Sequence, residues 1–318
     1  MRNSPPRRNL PNYLEISHTT LCPAQNPPLQ TDTPAIVLAL LAALLFSLGN
    51  QTSRHALNYA TPPQVTLYQI GVSVVIYWMA APFYMKTAYW LSPAIFFLAA
   101  AGLIRPLISA NLGTMGTRIL GPTISSTVGA CGPLLSVTLG VVFLAEPLHW
   151  QTALGTAGIV TSIVVLSWQG QSKPDWPLWA LLFPVGAALI RATSHALAKV
   201  GLEYIASPIF VALVAYTVSF PLAYLYQKHR EKQLPATQIP RNGLGWMLLS
   251  GTLYGIAVLS LNTALLWSDL VVVSPIVACT PFFTLILGIW VFREAQVNHR
   301  TIIAVLLVVP SVVLIGLR

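Results

Sequence analysis

Apolar runs of about 20 residues recur along the whole chain, and they limit its possible folds more than any other feature. A helix of about 20 apolar residues crosses the roughly 30 Å hydrocarbon core of a bilayer. Backbone amides in that core must be paired within the protein, which favours helices. Ten spans are predicted, with boundaries at residues 35–56, 64–84, 92–112, 122–145, 150–168, 176–199, 206–227, 245–267, 269–292 and 300–317.

Composition agrees with a membrane protein, since 55% of residues are hydrophobic and only 8% are charged. A soluble chain of this length needs many more charges to stay dispersed. Residues 1–33 form a polar N-terminal tail with Arg2, Arg7 and Arg8 and no apolar core. This tail does not resemble a cleavable signal peptide, so we expect the first span to act as an uncleaved anchor.

A block of sequence, residues 126–146, occurs again as residues 274–294. The identical pairs are Ser126/Ser274, Ala130/Ala278, Cys131/Cys279, Pro133/Pro281, Leu139/Leu287, Gly140/Gly288 and Glu146/Glu294. Duplicated halves are typical of secondary transporters. Five spans per copy is an odd number, so the second copy enters the membrane from the opposite side. The sequence therefore predicts an all-α polytopic membrane protein whose ten transmembrane helices form two inverted five-helix repeats.

The two blocks read "RILGPTISSTVGACGPLLSVTLGVVFLAEPLHWQTALGTAG" and "LWSDLVVVSPIVACTPFFTLILGIWVFREAQ". Each resembles the fourth helix of EamA-type members of the drug/metabolite transporter superfamily, a helix of small residues with a central proline, a glycine and a terminal glutamate. The resemblance extends over nearly the whole chain and gives one repeat at 34–168 and another at 176–317. It implies a central cavity lined mainly by the first, third, fourth, sixth, eighth and ninth helices.

Basic side chains lie deep in two predicted spans, Arg105 in the third and Arg191 in the sixth. An arginine at the bilayer centre costs about 2.5–3.5 kcal/mol on insertion scales, so each should face protein or water. His195 follows Arg191 by four residues and shares its helix face. These groups contact either an anionic substrate or the carbonyl groups of broken helices. Because all eight acids lie in tails, loops or span ends, a buried carboxylate relay is disfavoured.

Helix-breaking residues lie at matching places in the two blocks. Pro133 and Pro281 each remove a helix hydrogen bond and are predicted to bend the fourth and ninth spans. The terminal glutamates, Glu146 and Glu294, are candidates for gating or for holding a short turn.

Several uncharged polar residues inside or at the ends of spans are candidates for substrate binding. They are Asn50, Ser126, Tyr254, Asn262 and Ser274. The alternative is that they form hydrogen bonds between helices. No catalytic, nucleotide-binding or metal-ligand motif occurs in the sequence, so we expect no enzyme activity and no cofactor.

The predicted function is transport of a small anionic or zwitterionic metabolite, such as an amino acid or organic acid, with export as the favoured direction. The expected partners are this substrate and the lipid bilayer, with no nucleic acid, and the protein is expected to be a monomer or homodimer in a bacterial inner membrane. The net charge of +9 fits lipid headgroups. The alternative is a non-transporting membrane protein that assembles with or regulates another complex.

The sequence gives conflicting indications of membrane orientation. With a cytosolic amino terminus, that side has six basic residues and the other side has nine. The positive-inside rule then favours an external amino terminus. The family resemblance implies that both termini are cytosolic, and we favour this second orientation.

Overall fold

The computed structural model describes residues 33–105, 107–120, 125, 128–167, 177–231, 240–290 and 299–317. All regular elements in these ranges are helices. The α-helices are α1 (Thr33–Ala56), α2 (Pro62–Tyr84), α3 (Ala94–Ile104), α4 (Leu107–Leu120), α5 (Gly132–Phe143), α6 (Trp150–Ser167), α7 (Leu182–Tyr204), α8 (Pro208–Glu231), α9 (Arg241–Trp267), α10 (Leu270–Val277), α11 (Thr280–Trp290) and α12 (His299–Gly316). Short 3₁₀ helices occur at Thr87–Leu91 and Leu178–Leu181.

Six stretches of the described chain are long and apolar enough to cross a bilayer. They are Thr33–Ala56, Pro62–Tyr84, Leu178–Tyr204, Pro208–His229, Arg241–Trp267 and Leu270–Gly288. Helices α3 and α5, and parts of α6 and α12, form shorter apolar helices. The protein is therefore a multi-pass membrane protein whose described segments are helical.

The most extensive helix contacts join the first half of the chain to the second half. Helix α1 packs along α9, α2 packs along α8, and α6 packs along α12. Helix α7 packs on α3, α4 and α5. The contact of α1 with α9 thus has a counterpart in the contact of α7 with α3 and α4. This exchange of partners places the apolar core between the two repeats.

Close approach of α1 and α9 follows from small side chains. Ala39, Ala42 and Ala43 of α1 are fully buried, as are Ala257 and Ala264 of α9. Small residues let helix backbones approach closely, and in a membrane that packing drives association because lipid is as apolar as leucine.

Helical segments are interrupted at three places within predicted spans. Helix α3 ends at Ile104 and α4 begins at Leu107. Helix α5 begins at Gly132, and a turn at Ala278 and Cys279 separates α10 from α11. Pro133 and Pro281 are each the second residue of the helix that follows the break, where a missing backbone N–H is tolerated.

Candidate functional site

A cavity of about 320 Å³ lies between the two repeats. It extends from Leu57 and Pro62, at the connection between α1 and α2, to Leu261 and Asn262 in α9. Its described lining comes from α1, α2, α3, α7, α8 and α9, which belong to the first, second, third, sixth, seventh and eighth predicted spans. The expected contribution of the fourth and ninth spans is absent from this described lining, where the second and seventh replace them. The physical reason is that α2 and α8 pack together across the repeats.

Arg105 reaches this cavity from the interruption between α3 and α4. Its backbone is extended, with φ −129° and ψ 144°, as expected for a residue that precedes a proline. Ser219 Oγ of α8 lies 2.6 Å from Gly102 O and 2.8 Å from Arg105 O, so its one hydroxyl proton can be donated to either of these carbonyls at the helix end. Gly102 permits this contact because a Cβ there would overlap the carbonyl oxygen of Ala215.

His195 of α7 lies beside Arg105, with 3.0 Å between Arg105 Nη1 and His195 Nε2. A guanidinium nitrogen can only donate, so His195 Nε2 accepts and the imidazole is neutral with its proton on Nδ1. His195 Nδ1 is buried and has no hydrogen-bond partner among the described residues. The neighbouring Ser194 Oγ is also buried and has no hydrogen-bond partner among the described residues. Both residues line the cavity.

Neutral polar side chains form part of the remaining cavity wall, among apolar ones. Tyr254 OH donates to Asn50 Oδ1, which joins α9 to α1. Gln69 Nε2 donates to Ser53 Oγ at 2.5 Å and to Ser250 Oγ at 3.1 Å. These bonds link α2 to both α1 and α9 at the edge of the cavity.

The predicted site residues fall into two groups. Arg105, His195, Tyr254 and Asn262 line the cavity. Asn262 Nδ2 also donates to Pro208 O at 3.4 Å.

The other described candidates lie elsewhere. Arg191 Nη2 lies near Gly129, where a side-chain Cβ would be 4.0 Å from this nitrogen. Arg191, Asn50 and Ser274 are not among the described lining residues, and Ser274 is buried in α10. Ser126 and Glu294 lie outside the described residues.

Glu146 lies in the connection between α5 and α6, where it binds the start of α10. Its Oε1 accepts from Leu270 N at 2.8 Å and its Oε2 accepts from Val271 N at 2.9 Å. Burial raises the pKa of the Glu146 carboxyl, and these two hydrogen bonds oppose the rise. Lys199 Nζ donates to Leu265 O and Ser268 O, both at 2.8 Å. Glu146 and Lys199 together hold the turn between α9 and α10.

Sequence reasoning missed Ser194 and Ser219 as site residues. A serine within an apolar run has many packing roles, and nothing in the local pattern distinguishes these two. Ser219 is separated from Gly102 by 117 positions, so only the packed helices reveal their contact. Ser194 is adjacent to His195 in sequence, which is the one local signal that points to it.

The EamA-like transporter family matches this chain twice, at residues 33–168 and 178–317. The chain belongs to the EamA-like transporter family. This match confirms the resemblance inferred from the two helix blocks. It indicates a membrane transporter of the drug/metabolite transporter superfamily that is built from two repeats. A protein crystal structure matches this EamA-like chain with a TM-score of 0.74 and 16% identity. The match covers 90% of this chain and 97% of the other, and it supports the fold alone.

Proposed function

We propose that this EamA-like protein is a secondary transporter that moves a small metabolite by alternating access through the cavity between its repeats. The observation that supports this best is the position of the Arg105–His195 pair at a cavity lined by both halves of the chain. Carriers of this class bind substrate where their repeats meet, and relative motion of the repeats then exposes the site to each side in turn.

The proposed transporter has ten membrane spans in two inverted five-helix repeats. In this arrangement α3 with α4 forms one interrupted span, and α10 with α11 forms another. Interrupted spans are common around transporter sites because their free backbone groups can be satisfied by protein or by substrate. The broken ends near Arg105 and at Ala278–Cys279 agree with such a design.

The charge of the cavity supports an anionic or zwitterionic substrate, such as an amino acid or organic acid. Arg105 lines the cavity, and none of the described lining residues is acidic. We further propose that the protein exports its substrate and lies in the bacterial inner membrane. It is proposed to be a monomer or homodimer with no nucleic-acid partner.

Reconstitution with a mixture of metabolites tests this function while the substrate is still unidentified. Proteoliposomes are loaded with a ¹³C-labelled metabolite extract, and unlabelled extract is added outside. We expect mass spectrometry to detect exchange of one or a few metabolites with the wild-type protein. Arg105→Ala should reduce that exchange by about tenfold or more, because a hydrogen bond to a charged group contributes about 1.5–3 kcal/mol.

The matched control is Arg54→Gln, which changes an exposed arginine that does not line the cavity. This variant should exchange metabolites at the wild-type rate. Absence of exchange by a folded wild-type protein would contradict the proposal, and co-purification of a stable membrane partner would then favour an assembly role.

A further inference from the structure

The donors around Arg105 form one corner of the cavity. Arg105 Nη1 donates a hydrogen bond to His195 Nε2 at 3.0 Å. The other guanidinium N–H groups of Arg105 can therefore bond elsewhere. The same contact fixes the imidazole proton on Nδ1. His195 Nδ1 is therefore a second N–H donor, buried beside this corner and without a partner among the described residues.

Ser194 provides a third group at the same corner. Its side chain is only 5% exposed, and its Oγ has no partner among the described residues. Buried polar groups in proteins are almost always hydrogen-bonded, so two adjacent unpartnered groups at a cavity indicate a ligand site. A guanidinium, an imidazole N–H and a hydroxyl are together suited to a carboxylate, which only accepts hydrogen bonds.

The net charge of the ligand follows from what lines the cavity. Arg105 is the only described lining residue with a permanent charge. An ammonium group would find no carboxylate among those residues. A second carboxylate would in turn lack a second cation at the described surface. One negative charge balances Arg105.

The rest of the ligand faces a mostly apolar surface. Away from the donors, the described lining includes Val65, Ile70, Leu98, Val211 and Leu261. Polar atoms buried against such side chains would lose their water without gaining hydrogen bonds. The volume of about 320 Å³ lies at the lower end of the range for small-molecule sites.

We infer that the substrate of this transporter is a small monocarboxylate with an apolar body, whose carboxylate binds between Arg105, Ser194 and His195. This inference rests on the proposed transport function and specifies its substrate class. The apolar body occupies the region lined by Val65, Leu98 and Leu261.

A series of related probes tests the inference by calorimetric titration of the purified full-length protein in detergent. Phenylacetate supplies one carboxylate and an apolar ring. Phenylacetamide keeps the shape and removes the charge, and phenethylamine reverses the charge. Phenylglycine adds an ammonium group, and succinate replaces the ring with a second carboxylate. We expect phenylacetate to bind about tenfold or more tightly than each of the other probes.

Two variants locate the binding corner. Arg105→Gln and Ser194→Ala should each weaken phenylacetate binding, the former by about tenfold or more and the latter by about three- to tenfold. Arg54→Gln and Thr161→Ala are the controls, because both change exposed side chains outside the cavity lining, and phenylacetate affinity should be unchanged in them. Ser194→Ala alters a single atom, so it remains informative if Arg105→Gln fails to fold.

The inference is overturned if phenylacetate fails to bind, if any other probe binds as tightly, or if Arg105→Gln and Ser194→Ala bind phenylacetate like wild type. The exchange experiment with labelled extract distinguishes this failure from failure of the transport function. Exchange of a metabolite outside the monocarboxylate class would retain the transporter and remove only its assigned substrate class.

Discussion

Arg105 lies where α3 stops, and its surroundings determine what its side chain is free to bind. A break in a membrane helix exposes carbonyl oxygens, and a nearby base is one way to pair them. Here the Ser219 hydroxyl lies within hydrogen-bond distance of Gly102 O and Arg105 O. One hydroxyl proton is thus available to these two carbonyls, while the Arg105 side chain bonds to His195 at the cavity. Arg105 remains available to His195 and to a ligand in the cavity.

Replacing Ser219 tests this division of roles. Ser219→Ala removes the one buried hydroxyl proton within reach of these two carbonyl oxygens, which should lower the free energy of unfolding by about 1–3 kcal/mol. The measurement is thermal or denaturant unfolding of the purified protein in detergent. We also expect weaker exchange in proteoliposomes, because the helix end that positions Arg105 loses its anchor.

Thr161→Ala is the matched control for the Ser219 variant. Thr161 is exposed, and its Oγ1 bonds to Ala157 O within its own helix. Its loss should change stability by no more than about 0.5 kcal/mol. Equal stability of the two variants would show that the Ser219 hydroxyl does not support the break.

At the scale of helices, contact between equivalent elements of the two repeats depends on very close packing. Helices α6 and α12 meet at Gly155 and Gly158, which face Ser311 and Ile315. A Cβ at Gly158 would overlap Ser311 Oγ, and a Cβ at Gly155 would overlap Ile315 Cγ1. The helices can adopt this separation only because both positions lack a side chain.

A methyl group at Gly158 should therefore separate α6 from α12. Gly158→Ala is expected to lower the free energy of unfolding by about 1–3 kcal/mol, the usual cost of overpacking. Removing the hydroxyl with Ser311→Ala should lessen this cost, since a Cβ at Gly158 would then have Ser311 Cβ at 3.2 Å as its nearest neighbour in that residue. A double-mutant cycle measured by unfolding gives the coupling.

The control for this cycle is Gly245→Ala in α9. A Cβ at Gly245 meets no atom within 4 Å, and the residue is exposed. This change should leave stability unchanged or raise it by up to about 1 kcal/mol, because alanine has the higher helix propensity. Additivity of Gly158→Ala and Ser311→Ala would refute the predicted steric contact.

At the scale of the whole molecule, each repeat packs mainly on the other one. The pairings α1–α9, α2–α8 and α6–α12 all cross between repeats, as do the contacts of α7 with α3 and α4. Neither repeat keeps its buried helix faces covered without its partner. A rocking motion between repeats must therefore slide these shared interfaces, and the cavity that they enclose changes with it.

The proposed inverted arrangement of the repeats makes a topological prediction. Tyr59 and Tyr204 match at an offset of 145 residues, each lies just after or at the end of a long helix, and both are exposed. In inverted repeats these positions face opposite sides of the membrane. With Cys22, Cys131 and Cys279 replaced by alanine, we expect Tyr59→Cys to react with an impermeant maleimide in intact cells. Tyr204→Cys should react only after permeabilisation.

Permeabilised cells supply the control, since both variants must then be labelled. The expected side for Tyr59 follows from cytosolic termini, and a reversed pattern would support the orientation that the positive-inside rule favours. Labelling of both positions from one side would contradict the inverted repeats.

The apolar runs and the duplicated block determined the fold class and the family. These signals are local. Membrane insertion of a segment depends on the hydrophobicity of its consecutive residues, and a duplicated segment keeps its helix-breaking residues at a fixed offset in the sequence. The interruption at Arg105 has a local cause as well, since the following proline restricts the backbone. Local chemistry was sufficient for these features.

Only the tertiary structure decided which polar groups share the cavity. Arg105 and His195 are 90 positions apart, and α2 and α8 replace the expected fourth and ninth helices in the described lining. Ser194 and Ser219 acquire their roles from where their helices pack, because a hydroxyl donates only to an acceptor that packing brings within about 3 Å. Hydrogen bonding at that distance depends on three-dimensional position, which residue spacing along one helix does not specify.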